Sequence, residues 1–196
     1  MYKLTTTTAL AFALAAGAFP AKAETVIKWA SRADIYSLDP DSVPSTSNLA
    51  FLNHIYEGLV RYDQNFKLEP ALATDWELVD DRHWRFKLRE GVKFHDGAEF
   101  TADDVVASFN RAADPASPLK GNMPLFEGIK KIDDHTVEIE VSTPSSLFLN
   151  DITNIFVFDE GWLKNNNTEK PTDYSQKVEG YATNNTNGTG PFELGS

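Results

Sequence analysis

The sequence predicts a mixed α+β fold of the broad α/β class, and three observations lead there. Two pairs of segments alternate apolar and polar residues about Asp-rich turns, as half-buried antiparallel hairpins do. Around them lie short stretches with helical spacing and recognisable starts. The interleaving is neither a run of βαβ units nor an all-β sandwich. No function follows from that pattern alone.

Taken in order, the first 23 residues read as an export signal. Lys3 gives the positive start, Ala9 to Phe19 is apolar, and Ala21-Lys22-Ala23 is the small-residue ending that precedes cleavage, here before Glu24. The stretch is too short and too weakly apolar to span a bilayer. Thr25 to Ala30 reads as a buried strand. Ser31 to Ser47, rich in Ser, Asp and Pro, is a long loop, and long loops in compact proteins usually carry function. Asn48 to Leu59 has helical spacing (Leu49, Leu52, Ile55, Tyr56, Leu59) with Ser47 as N-cap. Leu59 to Tyr62 starts a strand that ends at the turn Asp63 to Asn65. Trp76 and Leu78, then Trp84, Phe86 and Leu88, form a hairpin about Asp80 to Arg82.

Thr101 to Asp104 resembles a capping box and opens a helix with Val105, Val106 and Phe109 inward, ending near Asp114-Pro115. A second hairpin pairs Ile129 to Ile132 with Val137, Ile139 and Val141. Thr143-Pro144 predicts a helix start, with Leu147, Phe148 and Ile152 packed inward. Ile155 to Phe158 reads as a short strand, Trp162-Leu163 as part of a short helix, and Asn165 to Asn187 as a polar surface excursion. Gly188 to Leu194 looks like the opening of a further strand, which is expected to continue in a longer reading frame.

Composition narrows the function. Loss of residues 1–23 removes two lysines and leaves 173 residues with 16 basic and 29 acidic side chains, a formal charge of −13. Phosphate binding needs a basic surface, so no nucleic acid partner is expected. There is no cysteine, hence no disulfide and no thiol for a lipid anchor. An exported, freely diffusing chain is expected in the periplasm.

The central residues are not generic. Leu72-Ala73, Trp76-Glu77, the run from Trp84 to Gly97 (WRFKLREGVKFHDG) and Phe100 to Val105 (FTADDV) closely resemble the signature of the bacterial extracellular solute-binding proteins of family 5. Leu38-Asp39-Pro40, Tyr56 to Val60 (YEGLV), Ile132 to Val137 (IDDHTV) and Gly188 to Phe192 (GTGPF) stand in the same order as in that family. The resemblance implies the class II periplasmic binding protein fold, two lobes joined by a hinge with an extra domain on the first. Residues 24–45 would begin lobe I, 46–173 would form the extra domain, and 174–196 would return to lobe I. The second lobe would lie outside this chain. His95-Asp96-Gly97 reads as a structural turn rather than a catalytic or metal pair.

The same resemblance implies a solute held between the lobes, a peptide or peptide-like molecule, and delivery by a monomer to an ABC permease in the inner membrane. By position, Tyr36, Ser45, Thr46, Ser47, Phe126, Asn154 and Phe156 would face the ligand. Hydroxyls and amides suit a peptide backbone, and aromatic rings supply apolar walls. Each has a structural alternative: Ser47 as helix cap, Phe126 and Phe156 as core, Tyr36 packing down its loop. No catalytic residue, metal or cofactor is expected. A secreted hydrolase is the competing class, but G-x-S-x-G, H-E-x-x-H and a cysteine nucleophile are all missing. His54, His83, His95 and His135 have no ligand spacing. A sensor or chaperone on the same fold is a third class.

Overall fold

Both hairpins form, and they join edge to edge. Strands β3 (Ala73–Asp80) and β4 (His83–Leu88) make the first; β5 (Phe126–Asp133) and β6 (Thr136–Val141) make the second. The sheet is antiparallel throughout, in the order β3-β4-β6-β5. Register explains the alternation. Trp84 pairs with Ile139 and Phe86 with Val137, and Ile129 stands opposite Ile139, so these side chains share one face. On the other face Arg85 meets Glu77 and Glu138, and Lys130 meets Glu138. One face is therefore core and the other a ladder of opposite charges facing solvent.

Helix α2 (Ala102–Ala112) covers the apolar face with Val105, Phe109 and Ala112, all fully buried. It starts as expected: the Asp104 carboxylate accepts from the Thr101 N–H at 2.7 Å. Each aromatic or aliphatic side chain buried here contributes on the order of 1.5–3 kcal/mol. A small antiparallel ribbon of β1 (Val60–Tyr62) and β2 (Leu68–Pro70) lies ahead of this sheet.

A second apolar cluster gathers around helix α1 (Thr46–Leu52), with Leu49, Leu52, Ile55, Tyr56, Leu119, Phe156, Phe158 and Leu163. The structure, a computed structural model, describes Lys28, Ala30 and residues 32–195. The export signal and most of the first strand expected at Thr25 to Ala30 lie outside the described residues. From Ala33 on, the chain forms one compact unit.

Four local expectations change. Helix α1 begins two residues earlier, with Ser45 as N-cap, and ends at Leu52 rather than Leu59. The reason is tertiary: the Val157 N–H donates to Glu57 O at 2.9 Å and Gly58 forms a bridge with Phe156. Tyr56, Gly58 and Leu59 are buried because this segment pairs with another, not because it continues a helix. That bridge is also all that forms of the strand expected at Ile155 to Phe158. The helix expected from Thr143-Pro144 starts only at Phe148 (α3, Phe148–Asp151). The Ser142 N–H still donates to Leu125 O, which keeps the chain extended beside the sheet, and Ser145 Oγ then turns it by accepting from the Leu147 N–H. Finally, the polar stretch Asn165 to Asn187 is not merely surface. Thr168, Ala182, Thr183 and Asn187 are buried, and two short 3-10 turns (Tyr174–Gln176, Tyr181–Thr183) pack it down.

Candidate functional site

The long loop before α1 is held from beneath by an ionic cluster. Arg111, on the last turn of α2 and 2% exposed, donates to Asp39 Oδ1 and Oδ2 at 2.8 and 2.6 Å and to Asp41 Oδ2 at 2.6 Å. Its Nε donates to Thr168 O at 3.0 Å, and its guanidinium lies 4.7 Å from the centre of the Phe158 ring. Two carboxylates thus share one cation out of water. Burial pushes the Asp41 carboxyl up to about 7, against the pull of Arg111 and with Asp39 adding to the rise. Asp41 Oδ1 has no partner among the described residues.

A second fastening comes from α1. Buried Asn48 accepts from the Tyr36 N–H at 3.1 Å and donates to Ser37 O at 2.9 Å. This places Tyr36 beside the start of α1. Ser45, Thr46 and Ser47 stand there with Ser45 Oγ and Ser47 Oγ 3.0 Å apart. Thr46 and Ser47 are exposed, and so is Tyr36, whose ring lies 6.3 Å from that of Tyr174. Four of the seven expected ligand-facing residues therefore share one surface on a tightly anchored loop.

The other three lie apart from it. Phe156 is buried beneath α1, stacked on Tyr56 at 6.3 Å. Phe126 is half-buried at the edge of the main core, 6.0 Å from Phe109. Asn154 lines an open groove of about 720 Å³ beside the β1–β2 ribbon, with Asn53, Arg61, Gln64, Glu69 and Thr153. Sequence reasoning missed Asn48, Asp41 and Arg111. Asp39 lay in a quoted motif, but its partner is 72 positions away and carries no local signal.

The motif turn His95-Asp96-Gly97 serves structure, as expected. His95 donates through Nε2 to Gly190 O at 2.8 Å and accepts through Nδ1 from the Gly188 N–H at 3.4 Å. The Asp96 N–H donates to Asn187 Oδ1, and Asn187 Nδ2 donates to Asp159 Oδ2. Gly188 and Gly190 run along His54 and Ile55 so closely that a Cβ on Gly188 would sit 2.0 Å from Ile55 O. Three separated motifs, YEGLV, HDG and GTGPF, are thus one seam. Among the described residues no group of three or more His, Asp or Glu is placed to hold a metal ion, and no helix is long and apolar enough to cross a membrane.

Comparison with known proteins agrees with the motifs. The family described as bacterial extracellular solute-binding proteins, family 5 Middle, matches residues 67–196. The periplasmic oligopeptide-binding protein OppA of Escherichia coli K12 is 32% identical over 159 residues, covering 71% of this chain and 29% of OppA. The glutathione-binding protein GsiB of Escherichia coli O1:K1 / APEC is 39% identical over 141 residues, 70% of this chain and 27% of GsiB. Among solved structures, the binding protein AgaA from A. tumefaciens R10 in complex with agropinic acid has a TM-score of 0.71 at 28% identity, covering 83% of this chain and 32% of AgaA. NikZ from Campylobacter jejuni in complex with Ni(L-His) has a TM-score of 0.69 at 28% identity, covering 82% of this chain and 31% of NikZ. The chain spans under a third of the length of each of these relatives. Its fold is part of theirs, and the chain belongs to the bacterial extracellular solute-binding proteins of family 5.

Proposed function

We propose that this chain is part of the periplasmic solute-binding component of an ABC importer, exported by residues 1–23 and cleaved before Glu24. The observation that carries the reading is the anchored loop. Arg111 and Asn48 immobilise residues 36–48 from below, while Tyr36, Ser45, Thr46 and Ser47 present an aromatic ring and hydroxyls outward. A rigid backing under exposed donors reduces the ordering cost of capturing a polar solute. Phe156 supports this wall from beneath α1, while Phe126 and Asn154 lie away from it.

Capture is passive. The solute, a peptide or peptide-like molecule, is enclosed when this wall and a second lobe close about a hinge, and the closed form is handed to the permease. No bond is made or broken. The variety among relatives supports binding as the shared activity: OppA is named for oligopeptides, GsiB for glutathione, and NikZ holds Ni(L-His).

Disrupting the reading frame and measuring uptake of labelled di- and oligopeptides, glutathione, opines and nickel chelates tests this. Loss of uptake of one solute class, restored by the intact gene, is expected. Unchanged uptake of every class, together with turnover of an ester or peptide substrate by the purified protein, would overturn it.

A further inference from the structure

The groove beside the β1–β2 ribbon carries a charge arrangement that folding does not require. Arg61 and Glu69 stand directly opposite each other, and Arg61 Nε donates to Glu69 Oε1 at 2.7 Å. Their side chains are 58% and 38% exposed, and such a pair contributes little to stability. The bond holds the guanidinium in one orientation and uses its Nε. Among the described residues the two terminal nitrogens meet no second carboxylate. The free edge, Nη1 and Nη2, can fork onto a carboxylate.

Around it the groove is polar. The side-chain amides of Gln64 and Asn154 make no hydrogen bond among the described residues. Thr153 does not compete, since its hydroxyl donates inward to Asn150 O at 2.9 Å. Tyr62 is also fixed, its hydroxyl accepting from Asn150 Nδ2 at 2.8 Å. Asp63 adds a second negative charge. Its carboxylate accepts from the Asn65 and Lys67 N–H groups, which hold it below the usual carboxylate range. One cation and two anions favour a ligand that carries both signs over a simple anion. The volume, about 720 Å³ and open to solvent, fits a small solute.

We propose that this groove is a binding site for a compact zwitterion, a free α-amino acid, with its carboxylate on the free edge of Arg61 and its ammonium on Glu69. Gln64 and Asn154 complete the hydrogen bonds of the carboxylate. The inference does not rest on the import reading: the groove lies within this chain, and uptake of any solute could fail without affecting it.

The test is an NMR titration of the 196-residue chain with L-alanine, L-alaninamide and N-acetyl-L-alanine. L-Alanine should give saturable shifts at residues 61–64 and 153–154, with a dissociation constant on the order of millimolar. Each blocked compound should bind about tenfold more weakly, as expected for loss of one charged hydrogen-bonded group. Arg61→Gln should abolish the preference for alanine over alaninamide, and Glu69→Gln the preference over N-acetylalanine. Arg61→Lys keeps the charge but not the fork, so it should bind alanine as weakly as Arg61→Gln while keeping native shifts elsewhere. Equal binding of the three probes, shifts centred on residues 36–47, no saturable shift, or an Arg61→Lys variant that binds like the parent would each overturn the proposal.

Discussion

Arg111 is the residue on which most of the loop before α1 depends. Replacing it with Met keeps the bulk but strands Asp39 and Asp41 in a dry site. The expected loss is about 3–5 kcal/mol, read by urea denaturation. Arg111→Lys should recover little, because an ammonium cannot reach both carboxylates and Thr168 O in the same fork. Asp41 makes the same cluster sensitive to pH. Its folded carboxyl is raised to about 7 from an ordinary value of 3.8, so the folded chain holds a proton that the unfolded chain releases. That contribution is complete below about pH 4 and is lost as pH rises through 7. The stability difference between the parent and Asp41→Asn should therefore fall across that window and flatten above it. A difference curve that is level from pH 4 to 8 would mean that Asp41 is ionised throughout. None of this was legible beforehand. Arg111 lies on a helix whose apolar face was readable, but nothing nearby in sequence marks an arginine that will be buried 70 and 72 positions from its partners. Asn48 was read only as the first residue of a helix. Its loss should cost about 1–3 kcal/mol, since it leaves buried backbone groups unpaired. In Asn48→Ala, hydrogen exchange at Tyr36 and Ser37 should speed up while exchange in β4 and β6 is unchanged.

The hairpins were legible because alternation over six to eight residues has one physical meaning when half of each strand is wet. Their union into one sheet was not, because pairing of β4 with β6 joins Trp84 to Ile139 across a long connection. Helix α1 was over-extended for a related reason. Ile55, Tyr56 and Leu59 are buried whether the chain is helical or irregular, so their spacing could not tell the two apart. The glycine motifs were visible as motifs, and the structure supplies their cause. Gly188→Ala would place a methyl 2.0 Å from Ile55 O, and the shift needed to relieve it should cost about 1–3 kcal/mol or more in thermal or urea unfolding. Gly128→Ala, on β5 with open space around the site, is the control and should be near neutral. If both substitutions cost the same, close backbone approach is not what requires glycine at 188.

For the molecule as a whole, the fold and family could be read from residues, and the structure gathers four of the seven residues expected to face a ligand. Tyr36, Ser45, Thr46 and Ser47 come together because one loop and one helix start lie beside each other in sequence. Phe126, Asn154 and Phe156 separate from them because position along a chain does not say which side of a core a side chain reaches. The His95–Gly190 clasp also has a kinetic consequence. It closes a loop 95 residues long and completes a seam against Ile55, whose carbonyl accepts from the Gly190 N–H. A polypeptide emerging from a ribosome can pair β3 to β6 before residues 188–192 are made, and Tyr56 and its neighbours are sealed only once that segment arrives.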